Sequence, residues 1–238
     1  MSGNYEYAGQ FVADKVKLFA SSGTVVDITK LVTALNLYED LYKACITGDI
    51  TIVDTNNVIM EAPIIGQEFL GFKITTPGID EFALDYSTHV FTVTKINSRV
   101  PARPGVMVYN LAFSSPEGLR NERTRVSKSY ADSIDGIVED VLSSAKYINT
   151  KKTLFMEETK GIKKMVVPYL HPHKLINQLK MEAISKKHDS PHYMFYENTL
   201  GVHFRTLDSM YAQKSIADFH AGDMGGEVSL EEELKRVL

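Results

Sequence analysis

Histidine supplies the densest group of potential metal ligands in this sequence. Four histidines, at positions 171, 173, 188 and 192, fall between residues 171 and 192. Neutral imidazole is a common zinc ligand, but a structural site needs four donors in tetrahedral geometry. His171 and His173 flank Pro172, as expected at a helix N-terminus, and no cysteine or paired carboxylate completes a ligand set. We therefore predict no metal and no cofactor at His171, His173, His188 and His192.

The remaining reactive side chains form no catalytic pattern. Cys45, the single cysteine, lies in an alternating apolar run, so we predict a small core residue that forms no intrachain disulfide. The acidic pair Asp80–Glu81 and the run Glu231–Glu233 have no neighbouring base and are expected to be solvated. Nucleophile-elbow, P-loop, zincin and dinucleotide-binding motifs are absent from the sequence. We predict no enzyme activity; a hydrolase fused to a β-barrel is the rival from another class.

The densest positive charge lies where the sequence changes from strand-like to helix-like. A helix is expected to begin there, with Ser115 as the N-cap, Pro116 at the first helical position and Glu117 near the positive helix end. Four basic residues follow within nine positions: Arg120, Arg123, Arg125 and Lys128. One interpretation is a solvated basic helix face. The other, which makes these four the candidate site, is a charged joint that docks one domain or subunit on the next.

Composition limits the classes of protein that fit. The 238 residues are 44% hydrophobic and 24% charged, which suits one or two globular domains. The net charge of −4 argues against a dedicated nucleic-acid-binding protein, whose domains are usually basic. The sequence has no apolar run long enough for a transmembrane helix and no signal-peptide pattern at its start, so we expect no membrane partner.

The first half of the chain is predicted to be β-structure. Residues 43–54 alternate with a period of two. One face has Ala44, Ile46, Gly48, Ile50 and Ile52, and the other has Cys45, Thr47, Asp49, Thr51 and Val53. Gly48 within this run indicates a bulge or a close backbone approach. Further strands are predicted at 11–19, 69–75, 86–98 and 106–113, and turn residues separate them. This pattern favours a closed β-barrel or sandwich over residues 1–113.

The second half is predicted to mix helices and strands. Apolar residues from Ile134 to Leu142 recur with helical spacing, and Ser129 is the expected N-cap. A second helix is expected from Pro172, and a hairpin over 193–204 turns at Gly201. We therefore divide the chain into a β-barrel (1–113), a joint (114–130), a mixed α/β domain (131–210) and a final segment (211–238) in which a further helix begins at Ser229.

The order of several short motifs resembles a known family. Gly-Asp-Ile-Thr-Ile-Val-Asp-Thr-Asn-Asn at 48–57 is followed by Ala-Pro-Ile-Ile-Gly-Gln-Glu at 62–68 and by a long strand. Ser-Ser-Pro-Glu-Gly-Leu-Arg-Asn-Glu-Arg-Thr-Arg-Val-Ser-Lys-Ser-Tyr at 114–130 then precedes an amphipathic helix. Over residues 14–210 this order resembles the baseplate hub proteins of contractile-tailed bacteriophages, of the T4 gene-product-27 type. The resemblance implies an α+β fold in which a β-barrel tube domain precedes a mixed α/β inserted domain.

The resemblance also implies a function and partners. It implies a structural virion protein of the tail baseplate, assembled in the host cytoplasm, whose homotrimeric ring adapts the sixfold tail tube to the threefold central spike. DNA would pass through the channel without specific binding, and the partners would be tail tube or baseplate proteins and the spike. The family forms its second barrel largely after the inserted domain, so we expect an incomplete second barrel here, with residues 211–238 as the start of a second tube-domain segment or as a tail. The sequence would then be a fragment, a hub completed by strands of another chain, or a shorter hub. The alternative is a spike-base component of a bacterial contractile injection system.

Overall fold

A computed structural model describes residues 11–55, 65–76 and 79–214 of the chain. Eight strands from the first half form one antiparallel sheet with the order β2-β1-β5-β7-β8-β4-β3, and β6 pairs with β5 beside this path. The strands are β1 (Val12–Phe19), β2 (Val25–Asp27), β3 (Val32–Tyr38), β4 (Thr47–Asp54), β5 (Phe69–Thr76), β6 (Ile79–Asp85), β7 (Phe91–Arg103) and β8 (Val106–Ser114).

Alternation along these strands builds a core on one face of the sheet. In β4, Gly48, Ile50, Ile52 and Asp54 are buried while the intervening residues are half-buried, as the period of two predicts. Three phenylalanine rings pack at the centre: Phe91 stacks on Phe72 at 5.5 Å between centroids, and Phe113 lies 5.0 Å from Phe91. Aliphatic residues from β1, β4, β5 and β8 surround them.

The prediction of a closed barrel is wrong, because the sheet is open. Among the described residues, β2 and β3 pair only with β1 and β4 respectively. β2 ends after three residues, and a short 3-10 helix, Thr29–Leu31, follows it. The backbone N–H of Ile28 donates to the Val16 carbonyl (2.9 Å), and the N–H of Val16 donates to the Thr29 hydroxyl (2.8 Å). The Thr29 side chain and a helical turn therefore use backbone groups that a further strand would have to bond for the sheet to close.

One predicted strand begins and ends later than expected, and β6 precedes it without having been predicted. The strand predicted at 86–98 is observed as β7, Phe91–Arg103, and β6 ends at Asp85 before it. β7 contacts β5 only through Phe69 and Leu70, and then continues as a partner of β8 alone. The far half of β7, residues 94–103, is exposed because the sheet divides there between β6 and β7.

The second half contains a separate core between short sheets and helices. Its helices among the described residues are α1 (Pro116–Arg123), α2 (Ile134–Ser143), α3 (Pro172–Leu179) and α4 (Leu207–Tyr211). Its strands are β9 (Ser129–Asp132), β10 (Leu154–Met156), β11 (Lys163–Val166), β12 (Tyr193–Asn198) and β13 (Gly201–Thr206). β12 and β13 form the predicted hairpin, β10 runs parallel to β13, and β9 pairs with β11. Apolar side chains of α2, α3, β12 and β13 meet in the core.

The start of α2 differs from the prediction. The N-cap is Ser133, whose hydroxyl accepts the Gly136 N–H at 3.3 Å, and not Ser129. Ser129 instead begins β9, because its backbone pairs with Val166 of β11. Tertiary pairing thus decides between two serines that each precede a helical pattern. No helix in the described part of the chain is long and apolar enough to cross a membrane.

Part of the sequence-based division lies outside the described residues. Residues 56–57 of the predicted turn and residues 62–64 of the second motif lie outside the described part. The helix predicted to begin at Ser229, and with it most of segment 211–238, also lies outside it. α4 is a further helix that the sequence pattern did not indicate.

Candidate functional site

The predicted joint, residues 114–130, begins where β8 enters α1. Ser115 is the N-cap of α1 and Pro116 occupies its first turn, as predicted. The Ser115 hydroxyl does not cap the helix; it donates to Glu197 Oε1 at 2.9 Å. The backbone N–H of Ser115 donates to the carbonyl of Ile46 at 3.0 Å. The helix start is therefore bonded both to the chain entering β4 and to the β12–β13 hairpin.

Three buried charged residues meet at this point, and we call Glu117, Lys152 and Glu197 the junction cluster. The Lys152 ammonium lies 2.8 Å from Glu117 Oε2 and also contacts Glu197 Oε1. The side chains of Lys152, Glu117 and Glu197 are 9%, 6% and 1% exposed, respectively. The Thr150 hydroxyl donates to Glu117 Oε1 at 2.8 Å. These contacts tie α1, the segment before β10 and the hairpin together.

The electrostatics of the cluster follow from two carboxylates sharing one ammonium. Burial raises the pKa of Glu197, and the attraction of Lys152 does not fully offset it. Burial also acts on Glu117, but there the Lys152 charge and hydrogen bonds from Lys152 and Thr150 hold the carboxyl pKa below its usual value. Burial acts to lower the pKa of Lys152, yet the two carboxylates raise it, so the ammonium stays charged. Such a cluster fixes geometry, because each charge requires its partners.

A cavity of about 210 Å³ borders the junction cluster. Asp85, Tyr86 and His89 line one side, and Lys152 and the turn that follows Glu197 line the other. The buried hydroxyl of Tyr86 has no hydrogen-bond partner among the described residues. The volume is below the range typical of sites for drug-sized ligands, so the cavity gives no evidence of a substrate site.

Two of the four basic residues of the candidate site donate hydrogen bonds to backbone carbonyls of this chain. Arg120 donates to the carbonyls of Ile148 (3.0 Å) and Asn149 (2.7 Å). Arg125 donates to the carbonyls of Glu122 and Thr124 at 3.1 and 3.0 Å, and its Nη1 lies 2.6 Å from Nδ1 of His171. Both side chains therefore hold local structure within this chain.

The other two basic residues differ from each other. Lys128 forms an ion pair with Asp140 at 2.8 Å and lies 4.6 Å from the centre of the Tyr130 ring. Arg123 is exposed at the end of α1 and makes no hydrogen bond or ion pair with any described residue. The side chains of Asp80 and Glu81 and the run 231–233, which are expected to be solvated, lie outside the described part of the chain.

The four histidines lie in different surroundings. His171 is the N-cap of α3, and His173, in its first turn, contacts the Phe195 ring edge-on at 5.6 Å. His188 follows the loop after α3, and Nδ1 of His192 lies 3.3 Å from the Ser190 hydroxyl. Within residues 11–55, 65–76 and 79–214, no three histidine, cysteine or acidic side chains are positioned to share a metal ion. The absence of bound metal remains a prediction.

The outer face of the large sheet carries a row of polar side chains across four strands, which we call the polar ladder. Asn97 of β7 donates to Asn110 of β8 at 2.8 Å, and Asn110 donates to Asp49 of β4 at 3.0 Å. From β3, Tyr38 (2.8 Å) and Asn36 (3.2 Å) also donate to Asp49. Hydrogen bonds from Asn110 and Tyr38 lower the pKa of Asp49, so the ladder keeps one negative charge.

The four-stranded region has two edge strands, β3 and the outer half of β7, and they differ in how well they are protected against pairing with another strand. β3 contains no charged residue and no proline between Val32 and Tyr38, and its outer edge is unpaired among the described strands. The outer half of β7 carries Lys95, Arg99, Pro101 and Arg103, with three register shifts. Proteins usually protect an edge strand with charges, proline or bulges, as in β7. β3 has one register shift, between Val32 and Ala34, and neither charge nor proline protects the rest of its edge. This edge is therefore suited to pairing with another strand.

Comparisons with known proteins find similarity in the fold but not in the sequence. No protein-family model matches the sequence, and no curated protein matches it closely enough to count as a relative. Solved structures do match. Prophage tail protein gp18 from Listeria monocytogenes EGD-e aligns with a TM-score of 0.51 at 8% identity, covering 90% of this chain and 56% of that one. The tail protein from Neisseria meningitidis MC58 aligns with a TM-score of 0.50 at 9% identity, covering 80% and 49%.

The fold is that of phage tail proteins. The resemblance to tail proteins expected from the sequence is thus confirmed at the level of the fold. An E. coli type VI secretion component with structural similarity to the T4 tail proteins gp27 and gp5 aligns at a TM-score of 0.47, with 10% identity over 85% of this chain and 48% of its own. This chain spans about half the length of the tail proteins from Listeria and Neisseria.

Neither the junction cluster nor the polar ladder was found from the sequence. One signal was available for the cluster: Glu197 follows Tyr193-Met-Phe-Tyr, a run that is buried on both faces of its strand. A carboxylate in such a run requires a charged partner. The sequence did not indicate that Lys152, 45 positions away, is that partner.

Proposed function

We propose that this chain is a structural hub or adaptor subunit of a phage tail baseplate. Three copies would form a ring that joins the sixfold tail tube to the threefold central spike, and DNA would pass through it without specific binding. The observation that carries the proposal is the fold shared with the tail proteins from Listeria and Neisseria. The proposed location is the virion tail, after assembly in the host cytoplasm with tube or baseplate proteins and the spike as partners.

The proposed role is mechanical and not enzymatic. The buried charges at the junction cluster bond to one another and to backbone groups, and they link the two cores of the chain. This supports the division into a tube domain (1–113), a joint (114–130), an inserted domain (131–210) and a final segment (211–238). In this division the cluster holds the inserted domain at a fixed angle to the tube domain.

The open edges suggest how copies of the chain would join. β3, β4, β8 and the outer half of β7 alternate in direction, so β3 and β7 are antiparallel to each other. Because the number of strands is even, a ring rotation brings β3 of one copy antiparallel to β7 of the next. The cations on β7 disfavour pairing of β7 with a second β7. This favours the head-to-tail contact that a closed ring requires.

The polar ladder is the face that we assign to the DNA channel. Asp49 gives it a negative charge, and the amides of Asn97, Asn110 and Asn36 are already committed to hydrogen bonds. Lys95 of β7 lies on the same face, opposite Ala112, so the face has no excess of cations that would bind phosphate. Arg123, which has no partner among the described residues, is the member of the predicted basic cluster that we assign to a contact with a neighbouring subunit.

Cross-linking between introduced cysteines tests the ring. Ala34 of β3 and Ser98 of β7 are exposed and lie on the outer face, opposite Thr51 and Asn110 respectively. The double variant Ala34→Cys/Ser98→Cys, treated with a short bis-maleimide, should give covalent trimers on a denaturing gel. Each single variant has one reactive position and can give at most dimers.

Analytical ultracentrifugation of the unmodified protein completes the test. A trimer in solution together with covalent trimers supports the ring and its strand pairing. A trimer without cross-links would retain the hub proposal and reject the β3–β7 contact. A monomer at all concentrations, with no covalent species above dimer, would reject self-assembly of this chain.

A further inference from the structure

A second cavity lies at the end of the described chain, away from the junction cluster. It measures about 410 Å³ and is bounded by β10, the loop before β12, β13 and the residues after α4. Ala212 and Gln213 form one wall, immediately before Lys214, the last described residue. We call it the terminal groove. The described chain therefore ends beside the groove.

The floor of the terminal groove is apolar and exposed. The Phe155 side chain is 37% exposed there, although its ring stacks on His203 at 4.5 Å between centroids. Met156 and Ala212 extend this apolar surface. Exposed aromatic and methionine side chains in a groove are suited to the apolar face of an amphipathic helix.

The rim of the groove is basic. Lys187 and Arg205 line it, and Lys187 forms no ion pair with the described residues. Glu157 is the single acidic residue of the lining, and its carboxylate is already occupied. It accepts the Thr206 N–H at 2.7 Å, the Thr206 hydroxyl at 2.9 Å and the Ser185 hydroxyl at 2.5 Å. Arg205 donates from Nε and Nη2 to the hydroxyl and carbonyl of Ser209 at 3.0 Å, but it forms no ion pair with the described residues. An acidic partner would therefore meet two cations whose charge Glu157 does not neutralise.

The sequence after Lys214 has the complementary composition. Residues 215–238 contain six acidic and two basic residues, so their net charge of −4 equals that of the whole chain. Leu230, Leu234, Val237 and Leu238 follow the i, i+4, i+7, i+8 spacing of a helix face, and Glu231–Glu233 lie beside them. The residues between Lys214 and Ser229 can span about 45 Å when extended, so they do not restrict access to the groove.

We propose that residues 229–238 dock in the terminal groove of their own chain. The leucine and valine side chains would cover Phe155 and Met156, while Glu231–Glu233 would face Lys187 and Arg205. This inference goes beyond the proposed function and does not depend on ring formation. Its occupant is this chain's own C-terminal segment, and a second copy's segment is an alternative outcome of the test.

The sequence contains no tryptophan, so the fluorescence of one introduced tryptophan can report on the groove without background. Phe155→Trp in the full-length chain places the indole on the groove floor. Addition of Leu234→Asp and Val237→Asp should shift its emission to the red and increase quenching by iodide, because the indole becomes exposed. The matched control adds Lys186→Ala, a neighbour of Lys187 whose ammonium pairs with Glu158. Emission that does not change with the two aspartates would overturn the proposal.

Zero-length carbodiimide cross-linking provides an independent measurement on the full-length chain. We expect a peptide that joins Lys187 to one of Glu231–Glu233, and its yield should fall about tenfold or more with Leu234→Asp and Val237→Asp, which leave the reacting groups intact. A mixture of ¹⁴N- and ¹⁵N-labelled protein identifies the source of each partner. Links of unmixed isotope support docking within one chain. Mixed-isotope links, or none, would overturn it.

Discussion

Glu197 accepts a hydrogen bond from the backbone N–H of Ile46 at 3.2 Å, although 151 sequence positions separate them. Ile46 lies just before β4 in the sheet part of the molecule, and Glu197 lies near the end of β12 in the α/β part. The other oxygen of the same carboxylate binds Ser115 and Lys152. One buried carboxylate thus connects the two cores and the helix between them.

Lys152→Met should be strongly destabilising. The change leaves Glu117 and Glu197 buried without their shared cation, and breaking a buried pair from one side typically costs about 3–5 kcal/mol. Urea unfolding followed by circular dichroism would measure the loss. Lys186→Met is the control, since that lysine pairs with Glu158 in an exposed position and should show no measurable change. Equal stability of both variants would contradict a structural role for the junction cluster.

Stability should fall between pH 7 and pH 5 because of the half-buried His173 and the buried His203. Burial lowers the pKa of His173 and of His203 to about 4, below the ordinary histidine value of about 6.5. Below pH 6.5 the unfolded chain binds a proton that the folded chain binds only near pH 4, so stability is lost as pH falls through this window. Each histidine should contribute on the order of 1–2 kcal/mol between pH 7 and pH 5.

Nuclear magnetic resonance titration of the histidine ring protons tests the same point directly. In the folded protein, the His173 and His203 signals should not shift until the pH approaches 4. In urea both should titrate near the ordinary histidine value. A midpoint near pH 6.5 for either ring in the folded protein would show that the ring is hydrated and not enclosed.

Gly48→Ala should destabilise the large sheet. A Cβ at this position would lie 2.3 Å from the Phe113 ring and 2.4 Å from the Asn36 carbonyl oxygen, so strands must move to admit it. Overpacking of this kind typically costs about 1–3 kcal/mol. Gly118→Ala, in α1, is the comparison: its nearest contact is 3.2 Å, from a side-chain hydroxyl. Thermal unfolding should separate the two variants, with Gly48→Ala melting at the lower temperature.

Arg123→Glu should weaken assembly without affecting the monomer. The side chain has no partner within the described chain, so its removal breaks no internal contact. A desolvated intersubunit ion pair lost on one side would cost about 2–5 kcal/mol of association energy. Sedimentation at low and high salt would measure it, with Lys164→Glu, another exposed site, as the control. An unchanged trimer would exclude Arg123 from the interface.

Arg120→Ala, in contrast to Arg123→Glu, should lower the stability of the monomer and leave assembly unaffected. Its guanidinium binds the carbonyls of Ile148 and Asn149, so the change removes two charge-assisted hydrogen bonds. These contribute about 1.5–3 kcal/mol in typical cases. We expect a less stable monomer by urea unfolding. A shift in sedimentation that is larger than the shift in unfolding would instead assign Arg120 to an assembly contact.

Much of the secondary structure follows from local pattern. Strict alternation from Ala44 to Asp54 and helical spacing from Ile134 to Leu142 each gave the right element, because burial on one face is written into the side chains. Closure of the sheet did not follow from pattern. It depends on pairing at the β2 side of the sheet, where β2 ends after three residues, a helical turn follows, and the Thr29 hydroxyl accepts the N–H of Val16 in β1.

The environments of the candidate-site residues were even harder to predict from local sequence pattern than closure of the sheet. Arg120, Arg125 and Lys128 were grouped by their closeness in sequence, yet each binds a different local partner. The junction cluster joins residues 117, 152 and 197, which no spacing rule connects. Charges that are close along the chain reveal little about their environment, whereas a charge inside an apolar run indicates that a partner exists somewhere else.

The surroundings of Cys45 have a practical result for chemistry on this protein. Cys45 is half-buried, and loss of hydration together with the nearby Glu197 and Glu117 raises the pKa of its thiol well above the usual range, so almost none of it is the nucleophilic thiolate at neutral pH. An introduced surface cysteine would react with maleimides long before Cys45 does. Fluorophores, spin labels or gold clusters can therefore be attached at chosen positions in the native sequence background, and particle orientation in electron micrographs can be read from them.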